Sequence, residues 1–416
     1  MLGMKKKKVL LLSTIYPAKD IQISNNTSVV HYFAMEWVKQ GHDVLVVHNY
    51  PVYLRILHWI AHFADKIIAS KFNTSVTAVY QNRDEEFVMD GVKVCRMPLF
   101  KPLPRFGVPR KVLERQVNKI ADWCKKNDFT PDVISAHNFY PHVEMVNKLK
   151  ERFFPNAKTC VVVHKQRMEM LRFIEGSWQE QIRNVDVWGY RSLPLKREFE
   201  NATGYVPPVQ FQCYSGIPGH FVAQEKSCDI SKPIKNFVYV GSFIRRKYPE
   251  KILLALKECG LDDFRLDYVG DGANRPIIEN IVKREKWQDN VTLHGFVARE
   301  QVPSFIARAQ CFIMISEEET FGLVYLEAMS MGCITIASKN EGMEGIIQDG
   351  VNGFLCKAGD EHELAQIIDK INLMPIEDLR SISENARKTA RHLTDENVAR
   401  IYLESIVNAD VAEKDK

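Results

Sequence analysis

The chain lacks any Cys-x-x-Cys pair, and its nine cysteines are odd in number. They stand mostly in apolar runs, as at Cys160, Cys311 and Cys333. That pattern excludes a disulfide framework and reads as reduced, buried thiols of a cytosolic protein. No stretch reaches the ~18 uninterrupted apolar residues of a membrane span. The opening MLGMKKKKVLLLSTIYP has a basic start. Its apolar part, Val9 to Leu12, is too short for a signal-peptide core, and no small-residue cleavage site follows. It reads as a first buried strand behind a lysine cluster. There is little net charge, +4, too small by itself to imply nucleic-acid binding. Neither GxxxxGK nor GxSxG occurs, so a P-loop NTPase or a Ser-His-Asp hydrolase has no motif here. Internal repeats and low-complexity segments are missing as well.

What is present is ordinary for a soluble globular protein: 45% apolar and 26% charged residues. At 416 residues the chain is too long for one compact core, and two domains are expected. Lys8–Ser13 reads as a strand, Ser28 to Gln40 as a helix stopped at Gly41, and Asp43 to His48 as a second strand. This βαβ start is a common opening of a Rossmann-like domain. Asp132 to Ala136 and Thr159 to Val163 read as further buried parallel strands, each followed by a histidine, His137 and His164. Val185 to Tyr190 and Pro208 to Tyr214 complete the first half. Residues 222–234 are polar and read as a linker. The second half restarts with strands at Asn236 to Val240, Arg265 to Val269 and Val291 to Leu293. Three helices are expected to finish the chain. Gly270-Asp-Gly272-Ala-Asn-Arg275 only half-matches GxGxxG, a weak dinucleotide signal.

The most informative stretch is Ser316 to Ser338, SEEETFGLVYLEAMSMGCITIAS. An apolar strand, Cys311 to Ile315, precedes it. Three glutamates follow, then a short helix opened by Phe321-Gly322 and stopped at Gly332, then a strand from Cys333 to Ala337. Strand, loop, helix and strand form one crossover of a parallel sheet, which puts the loop at the carboxyl end of the strands, where such sheets bind ligands. The first amides of the helix favour an anion such as a phosphate. Glu319 precedes them, and Glu327 lies one turn inside. Two carboxylates beside an anion site make sense if each accepts hydrogen bonds from hydroxyls, a sugar on one side and a ribose on the other. A solvated acidic loop is the plainer alternative.

Glu319-Thr-Phe-Gly-Leu-Val-Tyr-Leu-Glu327-Ala-Met resembles the signature of retaining GT-B glycosyltransferases, more narrowly the large bacterial family 4. The resemblance implies an α/β fold of two Rossmann-like β/α/β domains facing across a cleft, with a C-terminal helix crossing back. The expected divisions are 1–222 on the acceptor side, 223–395 for the nucleotide sugar, and 396–416 as the returning helix and tail. Glu319 would contact the donor sugar and Glu327 the ribose. The amides of Phe321, Gly322 and Leu323 would hold sugar and phosphates. His164 matches the histidine that lies by the donor sugar and β-phosphate. His137 fits a looser pattern and reads more readily as structural. Gly241 begins the loop in which Lys247 matches the lysine that neutralises the diphosphate. The family's usual arginine is Ser242 here, so Arg246 or Arg245 would have to substitute. Val297 falls in the loop that faces the nucleobase. Ser24-Asn25-Asn26-Thr27 stands where two glycines usually approach the phosphates, and Asn25 and Asn26 tolerate the left-handed backbone such a turn needs.

The reading that follows is a retaining transferase. It moves a sugar from a nucleotide-diphosphate donor to a hydroxyl of a glycan or lipid-linked acceptor, in bacterial cell-surface polysaccharide synthesis. The alternative is a non-catalytic nucleotide-sugar-binding or assembly protein of the same fold. No cofactor is expected. No Asp-x-Asp occurs, so no essential metal is expected either. The resemblance runs from about Phe237 to Phe354 and thins between Tyr50 and Thr130. In that thin region Ile56, Trp59, Ile60, Phe63, Ile67 and Ile68 fall at helical spacing, and Lys101, Arg105, Arg110, Lys111, Arg115 and Lys119 form a basic run. Peripheral contact with an anionic membrane from the cytoplasmic side, or a helix packed on the domain core, explains the pattern.

Overall fold

The computed structural model describes residues 4–17, 28–61, 80–104, 106–223 and 228–409. The chain divides into two units. The first comprises Met1–Arg191, Leu195–Cys213 and Ala399–Lys416, and the second Ser192–Pro194 and Tyr214–Val398. Asn25, Asn26, Arg105 and the stretch from Phe63 to Phe72 lie outside the described residues.

In the first unit the strands are β1 (Lys8–Ser13), β2 (Asp43–Val52), β3 (Glu85–Met89), β4 (Val92–Phe100), β5 (Val133–His137), β6 (Lys158–Val163), β7 (Val187–Tyr190) and β8 (Gln210–Gln212). They form one sheet in the order β3-β4-β2-β1-β5-β6-β7-β8. Every pairing is parallel except the hairpin β3–β4. β1 is continuously apolar and buried from Val9 to Leu12, as a strand covered on both faces must be. The hairpin was not anticipated, although Asp90-Gly91 announces it. Both residues take positive φ, 47° and 80°, as a tight two-residue turn demands. The sheet order reverses between β1 and β5, so the carboxyl ends of those strands, where His137 stands, form a switch point.

Where the resemblance thins, β2 runs on to Val52 and a helix begins at residue 55, in line with the helical spacing read from Ile56. Its first turns set Leu57 and Ala61 with Tyr53 in a small cluster, while Ile56, Trp59 and Ile60 remain on the exposed side. The basic run is mostly a helix, Arg110–Lys126, which buries Leu113, Val117, Ile120 and Cys124. Among the described residues no helix is long and apolar enough to cross a membrane.

In the second unit β9 (Asn236–Val240), β10 (Arg265–Val269), β11 (Val291–Gly295), β12 (Cys311–Ile313), β13 (Ile334–Ser338) and β14 (Phe354–Cys356) pair in parallel. Their order is β11-β10-β9-β12-β13-β14. This is the doubly wound arrangement, with its switch point between β9 and β12. Residues 222–234 are not simply a polar linker: Cys228, Ile230 and Ile234 are buried in this unit's core. The glycines of the half-matched GxGxxG have a packing role. A Cβ on Gly270 would lie 2.0 Å from the carbonyl oxygen of Gly241, and one on Gly272 would lie 2.5 Å from that of Phe243. The loop after β10 is thus pressed against the loop after β9. The helices Glu361–Leu373 and Ile376–His392 follow β14, and Asp395–Val407 carries the chain back into the first unit at Ala399.

Candidate active site

The two loops that leave the switch point of the second unit are residues 241–248 after β9 and 314–322 after β12. The first turns through a short 3-10 segment, Arg245–Lys247, and ends at Tyr248, whose φ of 48° lets Pro249 start the next helix. Its backbone is tied to the second loop: the Glu317 amide donates to the Arg246 carbonyl at 2.7 Å, and the Tyr248 hydroxyl donates to Glu317 Oε2 at 2.8 Å. Glu319 therefore faces two cations. Lys247 Nζ is 3.6 Å and the Arg246 guanidinium 3.9 Å from Glu319 Oε2. Of the two arginines that could stand in for the one replaced by Ser242, Arg246 is the one beside Glu319, while Arg245 is exposed. Gly241 lies under the lysine, with its Cβ position 3.4 Å from Lys247 Nζ.

Glu319 Oε2 is buried and accepts no hydrogen bond. Its two ion-pair distances are too long for direct hydrogen bonds. A buried carboxylate oxygen without a donor is an uncommon and costly feature, and it points to a missing donor. The backbone that presents it is clamped by a residue sequence reasoning missed. Glu341, just beyond β13, accepts from the Glu318 amide at 3.0 Å and the Glu319 amide at 2.7 Å. This holds Glu318 at φ 58°, a left-handed conformation that a non-glycine residue adopts at a cost of about 1–2 kcal/mol. Gly342 is equally needed, because a Cβ there would lie 2.5 Å from the Phe321 backbone. The available signal was position: Asn340-Glu341-Gly342 is a turn at the carboxyl end of a strand.

The helix Leu323–Ser330 begins at Gly322, whose φ is 83°. A Cβ on Gly322 would meet the Tyr325 ring at 2.5 Å, so only glycine fits. Tyr325 donates to the Met314 carbonyl at 2.8 Å and anchors the first turn to the end of β12. Phe321 is buried, 5.9 Å from the Tyr214 ring. The amides at Gly322 to Val324 have no preceding turn to bond and supply the partial positive charge of a helix start. Glu327 is buried and pairs with Arg299 at 3.3 Å, another residue the sequence reading passed over. Burial raises the Glu327 carboxyl above its ordinary range, and Arg299 opposes that shift. Val297 is half-buried beside the exposed Phe296, two residues beyond a strand that extends to Gly295 rather than Leu293.

His164 belongs to the first unit. It follows β6 directly and meets His137, with His137 Nδ1 and His164 Nε2 2.7 Å apart. Burial is the main reason both imidazoles titrate well below the ordinary histidine range. Among the described residues no cluster of three metal-ligating side chains occurs.

Residues 224–389 match the profile of the Glycosyl transferases group 1. The chain is 31% identical over 167 residues to N-acetyl-alpha-D-glucosaminyl L-malate synthase of Bacillus anthracis, a match covering 40% of the chain and 43% of that protein. The chain thus spans less than half the length of this relative. To the alpha-monoglucosyldiacylglycerol synthase of Acholeplasma laidlawii it is 26% identical over 307 residues, covering 70% of the chain and 74% of that protein. Among solved structures, a glycosyltransferase from Rickettsia africae superposes with a TM-score of 0.66 at 14% identity, covering 99% of this chain and 100% of that one. Anabaena HepE in complex with UDP superposes with a TM-score of 0.65 at 17% identity, covering 97% and 100%. The segment 224–389 belongs to the Glycosyl transferases group 1, and the chain that carries it has the GT-B fold.

Proposed function

We propose that the protein is a retaining glycosyltransferase that moves a sugar from a nucleotide-diphosphate donor to a hydroxyl of a glycan or lipid-linked acceptor. The observation that carries this reading is the unpartnered, buried Glu319 Oε2, set between Lys247, Arg246 and the start of the Leu323–Ser330 helix. A sugar hydroxyl is a donor of the right kind for that oxygen. The cations and helix amides would stabilise the diphosphate as it leaves and its charge grows. Glu327, held by Arg299, is the candidate ribose acceptor. Attack by the acceptor on the face the diphosphate leaves would retain configuration without an enzyme nucleophile. The bound UDP of HepE supports a uridine nucleotide as the first donor to try, and the name of the Acholeplasma relative supports a lipid-linked acceptor. Cell-surface polysaccharide synthesis at the cytoplasmic face of a membrane is the setting we favour.

The test is a melting-temperature screen over UDP-, GDP- and ADP-glucose, since a ligand of the native state raises the transition. One nucleotide sugar should stabilise the protein and release its nucleoside diphosphate slowly even without acceptor. Stabilisation by none of them, with no release, would sink the reading. Glu327→Ala should weaken nucleotide binding in calorimetry by about 10-fold, the loss of one charge-assisted hydrogen bond to a hydroxyl. Unchanged affinity would remove Glu327 from the ribose. Activity should also survive EDTA, because Lys247, Arg246 and the helix amides take the place a metal would fill. Loss with chelator and return with Mg²⁺ or Mn²⁺ would overturn that.

Membrane contact is part of the proposal, but its basic component is smaller than the run from Lys101 to Lys119 implied. Lys101 is half-buried against the Tyr140 ring, and burial pushes its ammonium down to about 8. Arg110 pairs with Glu175, and Lys119 with Asp84 at 2.6 Å. Lys111 and Arg115 remain exposed, as do Ile56 at 62%, Trp59 at 67% and Phe106 at 52%. Each such cation contributes about 1 kcal/mol near anionic lipid. The protein should float with anionic vesicles at low salt and release at high salt. The double change Lys111→Glu and Arg115→Glu should abolish flotation without lowering the melting temperature.

A further inference from the structure

His137 was expected to be a satisfied structural histidine, yet its surroundings form a directed chain of polar contacts. It closes β5, is fully buried, and stacks on Phe33 at 5.9 Å with the rings 22° apart. Its Nδ1 faces His164 Nε2 at 2.7 Å. Its Nε2 faces the Tyr402 hydroxyl at 3.3 Å, and that hydroxyl lies 2.6 Å from Ser135 Oγ. All four residues belong to the first unit. Burial disfavours the charged form of both imidazoles, so each carries one ring proton. In a neutral pair only one of two facing nitrogens can hold a hydrogen. The protonation of His164 is therefore decided by His137, and that of His137 by Tyr402.

The direction follows from acid and base strength. A phenol is a stronger acid than a serine hydroxyl, and an imidazole nitrogen is a stronger base than a hydroxyl oxygen. Ser135 thus donates to the Tyr402 oxygen, and Tyr402 donates to His137 Nε2. His137 must then carry its proton on Nδ1 and donate it to His164 Nε2. His164 is left with its own proton on Nδ1, the ring nitrogen for which the described residues offer no partner.

The geometry points to His137 as a positioning residue that, backed by Tyr402 and Ser135, holds His164 in the Nδ1–H tautomer and so makes it a hydrogen-bond donor. This inference rests on the proposed function only where it assigns a use: a donor is what the oxygens of a sugar or a phosphate would require of His164. The tautomer itself stands on the contacts alone.

Ring-nitrogen NMR on the full-length protein, with His164 assigned by its loss in His164→Gln, reads the tautomer directly. Wild type should show His164 protonated on Nδ1. His137→Leu, which fills the ring volume but offers no donor, should shift His164 toward Nε2–H. Tyr402→Phe, which keeps the ring packing, should leave a mixture of tautomers. His137→Asn places an amide N–H near the Nδ1 position and should restore the wild-type tautomer. In UDP release from UDP-glucose, His137→Leu should lower kcat about 10-fold with little change in KM, as loss of an orienting partner does. His137→Asn should recover most of it. If His164 keeps the same tautomer in His137→Leu and Tyr402→Phe, the inference is overturned. If the tautomer moves while kcat does not, the relay stands and the assignment of His164 to the donor site falls instead.

Discussion

Glu319→Gln and Lys247→Ala should each lower turnover at least ~100-fold while the melting temperature moves by no more than about 2 °C. The glutamine keeps the shape of the side chain but halves its accepting capacity and removes its charge. In the resting protein Glu319 Oε2 gains no hydrogen bond from its neighbours, only the two ion pairs beyond 3.5 Å. Little native stability therefore depends on it. The charge is needed when a hydroxyl donates to that oxygen and the bond beside it breaks. Lys247 acts on the other partner, the departing diphosphate. Its removal uncovers Gly241 and leaves Arg246 as the remaining cation beside Glu319. Steady-state nucleotide release and a thermal melt on the same preparations check both halves of the expectation. Activity within about 5-fold of wild type in either variant, about 1 kcal/mol in the barrier, would reject the site. A large drop in melting temperature would make the residue structural.

The second large effect is expected at Gly270. Its φ is 137°, and a Cβ there would lie 2.0 Å from the carbonyl oxygen of Gly241. The obstruction is backbone, not the flexible end of a side chain, so the loop after β9 would have to move. Gly270→Ala should destabilise the second unit by about 3 kcal/mol or more, roughly a 6–12 °C fall in melting temperature for a unit of this size. Because that loop carries Lys247, residual folded protein should also bind nucleotide sugar more weakly. Gly260→Ala is the control: its φ is also positive, at 63°, but a Cβ there meets nothing within 4 Å. It should cost only the backbone strain, about 1 kcal/mol. Equal effects at the two glycines would show that close packing of the loops is not what Gly270 provides.

Much of the second unit could be read from sequence because each strand is an apolar run ended by a loop with its own chemistry. Cys311 to Ile315 and the glutamates after it show this most clearly. What could not be read was contact between loops far apart in sequence. Glu341 clamps the amides of Glu318 and Glu319 from 23 and 22 residues away, and nothing in the local pattern of Lys339-Asn340-Glu341-Gly342 names its target. Arg299 reaches Glu327 from 28 residues away in the same manner. The choice between Arg245 and Arg246 depends on the side-chain direction in a single 3-10 turn, which periodicity does not determine. The hairpin β3–β4 differs, since Asp90-Gly91 is a turn signal legible in the sequence itself. The apolar residues at helical spacing from Ile56 do lie on a helix over the described residues 55–61, but which of them face solvent was not legible, because that depends on how the helix seats on Tyr53.

The path of the chain also sets an order of assembly. The second unit uses Tyr214–Val398 with a short insert from Ser192–Pro194, so its parts are all synthesised before Ala399. The first unit is not complete at that point. Trp37 donates its indole N–H to the Ala399 carbonyl at 2.7 Å, and Tyr402, Leu403 and Ile406 are fully buried. Lys158 Nζ binds the carbonyls of Val407 and Ala409 at 2.8 and 2.6 Å. During synthesis the flank around Trp37 therefore stays uncovered until the helix Asp395–Val407 has been made. The later-made half can close first, against the usual amino-to-carboxyl sequence of domain folding.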